Sequence, residues 1–227
     1  IKWEIMNDKK ICFIACVNDN KKWEECLLYI KRLIVPNGYS IDVLSVEEAY
    51  SMTAGYNEGM KATDAKYKIY LHQDVFIVDR FFLMEIIDTF KIDKKIGMIG
   101  MVGTSNMPKD GIMWNGDRAF SIYCKYNKDK SLCEKYVQPT GDNVAVVDAV
   151  DGLLIATQYD LPWREDLFTQ WDFYDASQSF EFRRRGYYVV VPTLGKPMCV
   201  HDDGYILNLE NYEDNRKIFL QEYGSML

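Results

Sequence analysis

"KIYLHQDVFIVDR", residues 68–80, decides how this chain is read. Its apolar run behaves as a buried strand, and the run stops at His72, Gln73 and Asp74. An unpaired charge in a core is costly, so a histidine and a carboxylate at a strand exit are expected to face solvent, a partner or a metal. Working outward, "YKIYLH" (67–72) is the third of three strands, after "ICFIACV" (11–17) and "YSIDVLSV" (39–46). The first of these is continuously apolar and too short for a helix. Between them, "NDNKKWEECLLYIKRLI" repeats Trp23, Cys26, Leu27, Ile30, Leu33 and Ile34 at helical spacing. Asn18, Asp19 and Asn20 can cap that helix, and Pro36, Asn37 and Gly38 stop it. "YSMTAGYNEGMKAT" (50–63) and "RFFLMEIIDTF" (80–90) read as further helices, and "IGMIGMVG" (96–103) as a further strand. Repeated βαβ units predict an α/β fold with a mixed, mainly parallel sheet flanked by helices.

The middle of the chain changes character. Residues 104–143 are rich in Asn, Asp, Gly, Lys and Pro, with Trp114, Phe120 and Tyr123 scattered among them and no sustained period. Such a stretch reads as an irregular functional loop. Beyond it, "NVAVVDAVDGLLIAT" (143–157) predicts a strand, a turn near Asp151-Gly152 and a second strand. "WDFYDASQSFEFRRRG" (171–186) predicts a helix entered through a polar cap, and "YYVVVP" (187–192) a last strand. With 227 residues, no repeat and no linker composition, a single domain is expected. Its parts are a first half (10–103), the loop region (104–143), a second half (144–205) and a helical tail (206–227).

Composition narrows the partners. A net charge of −7 argues against nucleic acid, whose phosphates bind lysine- and arginine-rich surfaces. The apolar and charged fractions, 48% and 27%, are those of an ordinary globular protein. No apolar run approaches the roughly 20 residues needed to span a bilayer, and "IKWEIMNDKK" lacks the apolar core of a signal peptide. A cytoplasmic location, free or at a membrane surface, is the expectation. Cys12, Cys16, Cys26, Cys124, Cys133 and Cys199 form no CxxC pair and are expected to be reduced thiols.

Ligands of open α/β sheets collect beyond the carboxyl ends of the strands. Asn18 and Asp19 leave the first strand, Glu47 and Glu48 the second, His72 and Asp74 the third. The order "ICFIACVND", "SIDVLSVEEA", "SMTAGYNEGMKATDAKYKIYLHQDVFI" resembles the nucleotide-sugar-binding half of glycosyltransferase family 2, which has the GT-A fold. There an Asn-x-Gly helix precedes a strand ending in an Asp-x-Asp metal motif; this chain offers Asn57-Glu58-Gly59 and His72-Gln73-Asp74. "DGLLIATQYDLPWREDLFTQWDFYDASQSFEFRRRGYYVVVP" resembles the acceptor half, where an acidic residue heads a helix ending in Arg-x-Gly-Tyr.

The resemblance implies a metal-dependent, inverting transfer of a sugar from a nucleotide-diphosphate donor to a glycan or glycolipid acceptor. It makes Asp74 the leading ligand of a divalent cation, manganese or magnesium, with His201 in "MCVHDDGY" either a second ligand or part of a turn. His72 replaces the first acid of the motif. It is a ribose contact, a residue behind the metal shell, or a ligand if the ion accepts nitrogen. Asp175 falls where the family's catalytic base lies, with Asp172 as its neighbour, although an aspartate there also caps a helix. Asn18, Glu47 (or Glu48) and Asn57 are donor contacts. Trp114, Trp163 and Trp171 are candidates to stack on sugar faces, and Arg183, Arg184 and Arg185 read as structural. No Gln-x-x-Arg-Trp stretch follows the base, so single transfer is expected rather than polymerisation. Two other readings stay open: a silent binding module of the same fold, and a sugar nucleotidyltransferase, against which "VNDNKKW" offers no glycine for a phosphate loop.

Overall fold

Apolar runs of the first half become neighbouring strands. In the computed structural model, residues 6–121, 123–126, 132–135, 143–204 and 209–227 are described, with 118–121, 123–126 and 132–135 described through the backbone alone. In chain order the first half holds β1 (Asn7–Val17), α1 (Asn20–Lys31), β2 (Ser40–Glu47), α2 (Met52–Lys61), β3 (Ala65–Leu71), β4 (Val75–Ile77), α3 (Phe82–Ile92) and β5 (Ile96–Gly100). The second half adds β6 (Val102–Thr104), β7 (Arg118–Ser121), β8 (Tyr123–Tyr126), β9 (Leu132–Lys135), β10 (Val144–Val147), β11 (Ala149–Val150) and β12 (Leu154–Thr157). It ends with α4 (Tyr174–Arg184), β13 (Tyr188–Pro192), β14 (Cys199–His201) and α5 (Tyr212–Tyr223).

The main sheet has seven strands in the order β10-β13-β5-β12-β3-β1-β2. β1, β2, β3, β5 and β13 run one way and β12 and β10 the other, so the sheet is mixed and mostly parallel. β1 is covered on both faces, which is why Ile11 to Ala15 form an unbroken apolar run. α2 lies close against it: a Cβ on Gly59 would stand 2.4 Å from Ile14 Cγ2, so glycine is required there. The polar face of α2 binds the segment ahead of α4. Asn57 Nδ2 donates to the Trp163 carbonyl at 2.9 Å, the Trp163 N–H donates to Asn57 Oδ1 at 2.9 Å, and Thr53 Oγ1 donates to the Phe168 carbonyl at 2.6 Å. Among the described residues, no helix is long and apolar enough to cross a membrane.

Two expectations change. Residues 104–143 contain the short strands β7, β8 and β9 in addition to irregular chain. β7 pairs with β6 and β8 with β14, partners distant or brief enough to leave no period in the sequence. The side chains of Phe120, Tyr123, Cys124 and Cys133 lie outside the described residues; Cys12, Cys16 and Cys26 are free thiols. α4 begins at Tyr174 rather than 171, because Phe173 takes a left-handed backbone (φ 60) that no helix continues. The arginines that close α4 have structural partners: Arg183 pairs with Asp148, and Arg184 and Arg185 with Glu181. Glu181 also accepts from Arg164 and Tyr223, tying α4 to α5.

Candidate active site

Parallel pairing carries the ends of β1, β2 and β3 to one edge, with Val17 opposite Glu47 and Ile14 opposite Tyr70. Asn18, Glu48, His72 and Asp74 therefore meet, and with Met52 and Trp171 they wall a cavity of about 240 Å³. Gln73 fastens two of these exits: its Oε1 accepts from the Asn18 and Asp19 N–H groups at 3.0 and 2.9 Å. Asp19 in turn caps α1, accepting from the N–H groups of Lys21 and Lys22.

His201 reaches this rim from the far end of the chain. β14 pairs antiparallel with β4, which sets His201 opposite Val75, and the Asp202 N–H donates to the Asp74 carbonyl at 2.9 Å. One ligand atom from each of His72, Asp74 and His201 lies within 4.8 Å of the others. His201 Nε2 stands 3.3 Å from Asp74 Oδ1 and 3.5 Å from His72 Nδ1. Lys22 Nζ holds the other Asp74 oxygen at 3.2 Å. Burial opposes ionisation of Asp74, but the hydrogen bond and charge of His201, with His72 and Lys22, outweigh it and hold the carboxyl well below its ordinary range. Burial, and then His201, push His72 down, towards the neutral imidazole a metal requires. Two imidazoles and a carboxylate make a donor set that fits a divalent cation tolerant of nitrogen, manganese better than magnesium.

Behind His72 stands Tyr174, whose hydroxyl lies 2.5 Å from His72 Nε2. If the hydroxyl accepts there, the proton sits on Nε2 and the Nδ1 lone pair is left facing His201 and Asp74, the arrangement ligation needs. Tyr174 fits only because residue 152 is glycine, since a Cβ there would come within 1.9 Å of the hydroxyl oxygen.

A second cavity, about 470 Å³, opens on the other side of His72 and Trp171, which line both. Asp151, Asp172, Asp175, Asp203 and Trp114 are on its wall. Asp175 stands in the first turn of α4, where Oδ2 accepts from the Gly152 N–H at 2.9 Å and Oδ1 from the Ala176 N–H at 2.8 Å. Burial and, next, the Asp151 charge raise its pKa to about 7, against the pull of those N–H groups. Asp172 is raised by burial as well. The two non-glycine residues with left-handed backbone among those described, Glu48 and Phe173, each line one of the cavities. Backbone held in that region tends to collect at functional sites.

Of the residues singled out from sequence, Asn18, His72, Asp74, His201, Asp172 and Asp175 are brought together around these two cavities. Glu47 and Asn57 are not. Glu47 ends β2 on the exposed face and its neighbour Glu48 turns to the cavity, while the Asn57 amide is buried and occupied by Trp163. Trp163 is likewise buried, at 2% exposure, whereas Trp114 and Trp171 are 42% and 47% exposed. Sequence reasoning missed Tyr174, Gln73 and Lys22. Gln73 alone had a signal, its place between His72 and Asp74.

Comparison with solved structures gives a fold. The mannosyltransferase PcManGT from Pyrobaculum calidifontis, in complex with GDP-Man and Mn2+, aligns at TM-score 0.57 and 12% identity, over 100% of this chain and 67% of that one. GalNAc-T7 with UDP, GalNAc and Mn2+ aligns at 0.60 and 12%, over 96% of this chain and 49% of that one. Residues 1–349 of S. aureus TarS with UDP align at 0.54 and 10%, over 94% and 65%. The chain thus spans between about half and two thirds of these proteins, and the shared architecture is GT-A. No curated protein sequence matches it. The family comparison is more direct, because it covers residues 12–223, from β1 to the end of α5, and on that match the chain belongs to the Glycosyltransferase like family.

Proposed function

We propose that the protein moves a sugar from a nucleotide-diphosphate sugar to a hydroxyl of a saccharide acceptor, with inversion at the anomeric carbon. The observation that carries this reading is the pair of cavities meeting at His72 and Trp171, with a metal-competent trio on one side and a carboxyl of raised pKa on the other. The printed ligands of the similar structures, GDP-Man with Mn2+ and UDP with GalNAc and Mn2+, support a nucleotide sugar and a divalent cation as the class of partner.

His72, Asp74 and His201 would hold the cation, with Tyr174 fixing the His72 ring. When bound, it neutralises the donor diphosphate and stabilises the charge that grows there as the glycosidic bond breaks. Asn18 and Glu48, at the rim of the smaller cavity, are placed to hydrogen-bond the nucleoside. Asp175 takes the proton of the acceptor hydroxyl while that oxygen attacks the anomeric carbon and the bond to the diphosphate breaks. A base whose pKa lies near the working pH combines a useful ionised fraction with affinity for the proton. The Gly152 and Ala176 N–H groups keep its carboxyl oriented throughout.

Calorimetry with UDP-, GDP- and dTDP-sugars, with and without manganese, tests the proposal. One donor is expected to bind, and only with the metal. If no nucleotide sugar binds under either condition, the transferase reading falls.

A further inference from the structure

We infer that the larger cavity takes an uncharged saccharide, held between Trp114 and Trp171, and turns away sugars bearing a phosphate or carboxylate. This rests on the transferase reading above and specifies its acceptor. Trp23 and Trp163 are buried in the core, as large apolar rings normally are, yet Trp114 and Trp171 keep 42% and 47% of their surface exposed on the wall of one cavity. A pyranose presents an apolar face of C–H groups and an edge of hydroxyls. Exposed indoles match the face, and carboxylates that accept hydrogen bonds match the edge.

The wall supplies those acceptors in number. Asp151, Asp172, Asp175 and Asp203 line the cavity, and among its described residues there is no lysine or arginine. Three cations on neighbouring elements have partners of their own: Lys22 with Asp74, Arg183 with Asp148, and Arg216 with Glu213 and the Asp110 carbonyl. A sugar phosphate or uronate would bring its charge among these aspartates, with no lysine or arginine among the described lining residues to offset it, which is a device for rejection as well as selection. Asp151 makes the point sharply. It lies beside Asp175 and keeps one oxygen on the Leu153 N–H at 2.9 Å, so it is fixed in place and cannot swing away from an incoming anion.

The test uses saturation-transfer NMR on the full chain with magnesium and UDP or GDP in excess, nucleotide binding being measured separately by calorimetry with manganese. The probes are lactose, cellobiose and diacetylchitobiose, each beside an analogue carrying a uronate or a phosphate. Neutral disaccharides are expected to bind and the anionic ones not. Trp114→Ala and Trp171→Ala are each expected to weaken neutral binding about tenfold, the size of one good contact. Trp114 lines only the larger cavity, so its variant should leave nucleotide binding unchanged, which also shows that it folds. Asp151→Asn keeps the Leu153 hydrogen bond and removes the charge, and should admit the anionic analogues. Equal binding of neutral and anionic sugars, or nucleotide binding with no neutral sugar bound, or tryptophan variants without effect, would overturn the inference. Neutral sugars that bind in the predicted pattern while no nucleotide does would instead overturn the transferase reading and leave the saccharide site standing.

Discussion

Asp74 and Asp175 stand on opposite sides of the His72–Trp171 partition, and burial acts on both in the same direction. Their outcomes differ because their neighbours differ. Around Asp74 are His201, His72 and Lys22, which hold the carboxylate ionised; beside Asp175 is Asp151, which adds to the effect of burial and carries the pKa to about 7. The comparison teaches that one cleft can hold one carboxyl ionised and raise the pKa of another through the charges and hydrogen bonds beside each, which is what the proposed cation ligand and proton acceptor would need. Gly152 joins the two sides: its N–H donates to Asp175, and its missing Cβ makes room for the Tyr174 hydroxyl that meets His72.

Removing the proposed proton acceptor is the most severe way to break the comparison. Asp175→Asn is expected to lower turnover about 10²- to 10⁴-fold, the usual size of a base contribution, while donor binding measured by calorimetry stays as it was. Gly152→Ala attacks the joint. A methyl 1.9 Å from the Tyr174 oxygen must displace it, and urea unfolding should show a loss of about 1–3 kcal/mol, with both metal binding and turnover impaired. Tyr174→Phe affects the metal side alone: manganese affinity should fall about 10- to 100-fold with little change in stability, since the ring remains and only the orienting hydroxyl is lost.

The smallest effect is graded by pH. As the proposed base, Asp175 would work as a carboxylate, so kcat/KM should drop about tenfold per unit as pH falls below about 7, a limb absent from the residual activity of Asp175→Asn. Stability should move the other way. The folded pKa of about 7 lies above the ordinary 3.8, so between these values the folded chain holds a proton that the unfolded chain releases. This group's contribution to stability therefore declines as pH rises through that window and is level above it. Asp74, shifted down, contributes with the opposite sign, its stabilisation being lost on acidification below the ordinary carboxylate range. Urea midpoints of the wild type and Asp175→Asn, taken from below the ordinary carboxylate range to above 7, would separate the two contributions.

Much of this was legible from residues. Buried strands such as 11–17 announce themselves because a strand covered on both faces must be apolar throughout, and α1 showed its period and three possible caps, of which the structure uses Asp19. The exits of parallel strands had to share an edge, so Asn18, His72 and Asp74 could be grouped before any coordinate. β7, β8 and β9 were not legible, since strands of four residues take their stability from distant partners rather than from a pattern of their own. The choice between Glu47 and Glu48 turned on a left-handed backbone at Glu48 that no residue type announced.

By itself, then, the sequence determined the layers of the fold and the rim where chemistry would gather, because periodicity is local and parallel exits share an edge, while its candidate carboxylates came from the family resemblance. Tertiary structure decided which groups stand together. The pairing of β14 with β4 carried His201 to Asp74, the turn at Gly152 set Tyr174 behind His72, and Asp151 came to rest beside Asp175. Charge and ligation depend on distance in space, and residues 72 and 201 become neighbours only once the sheet has closed around them.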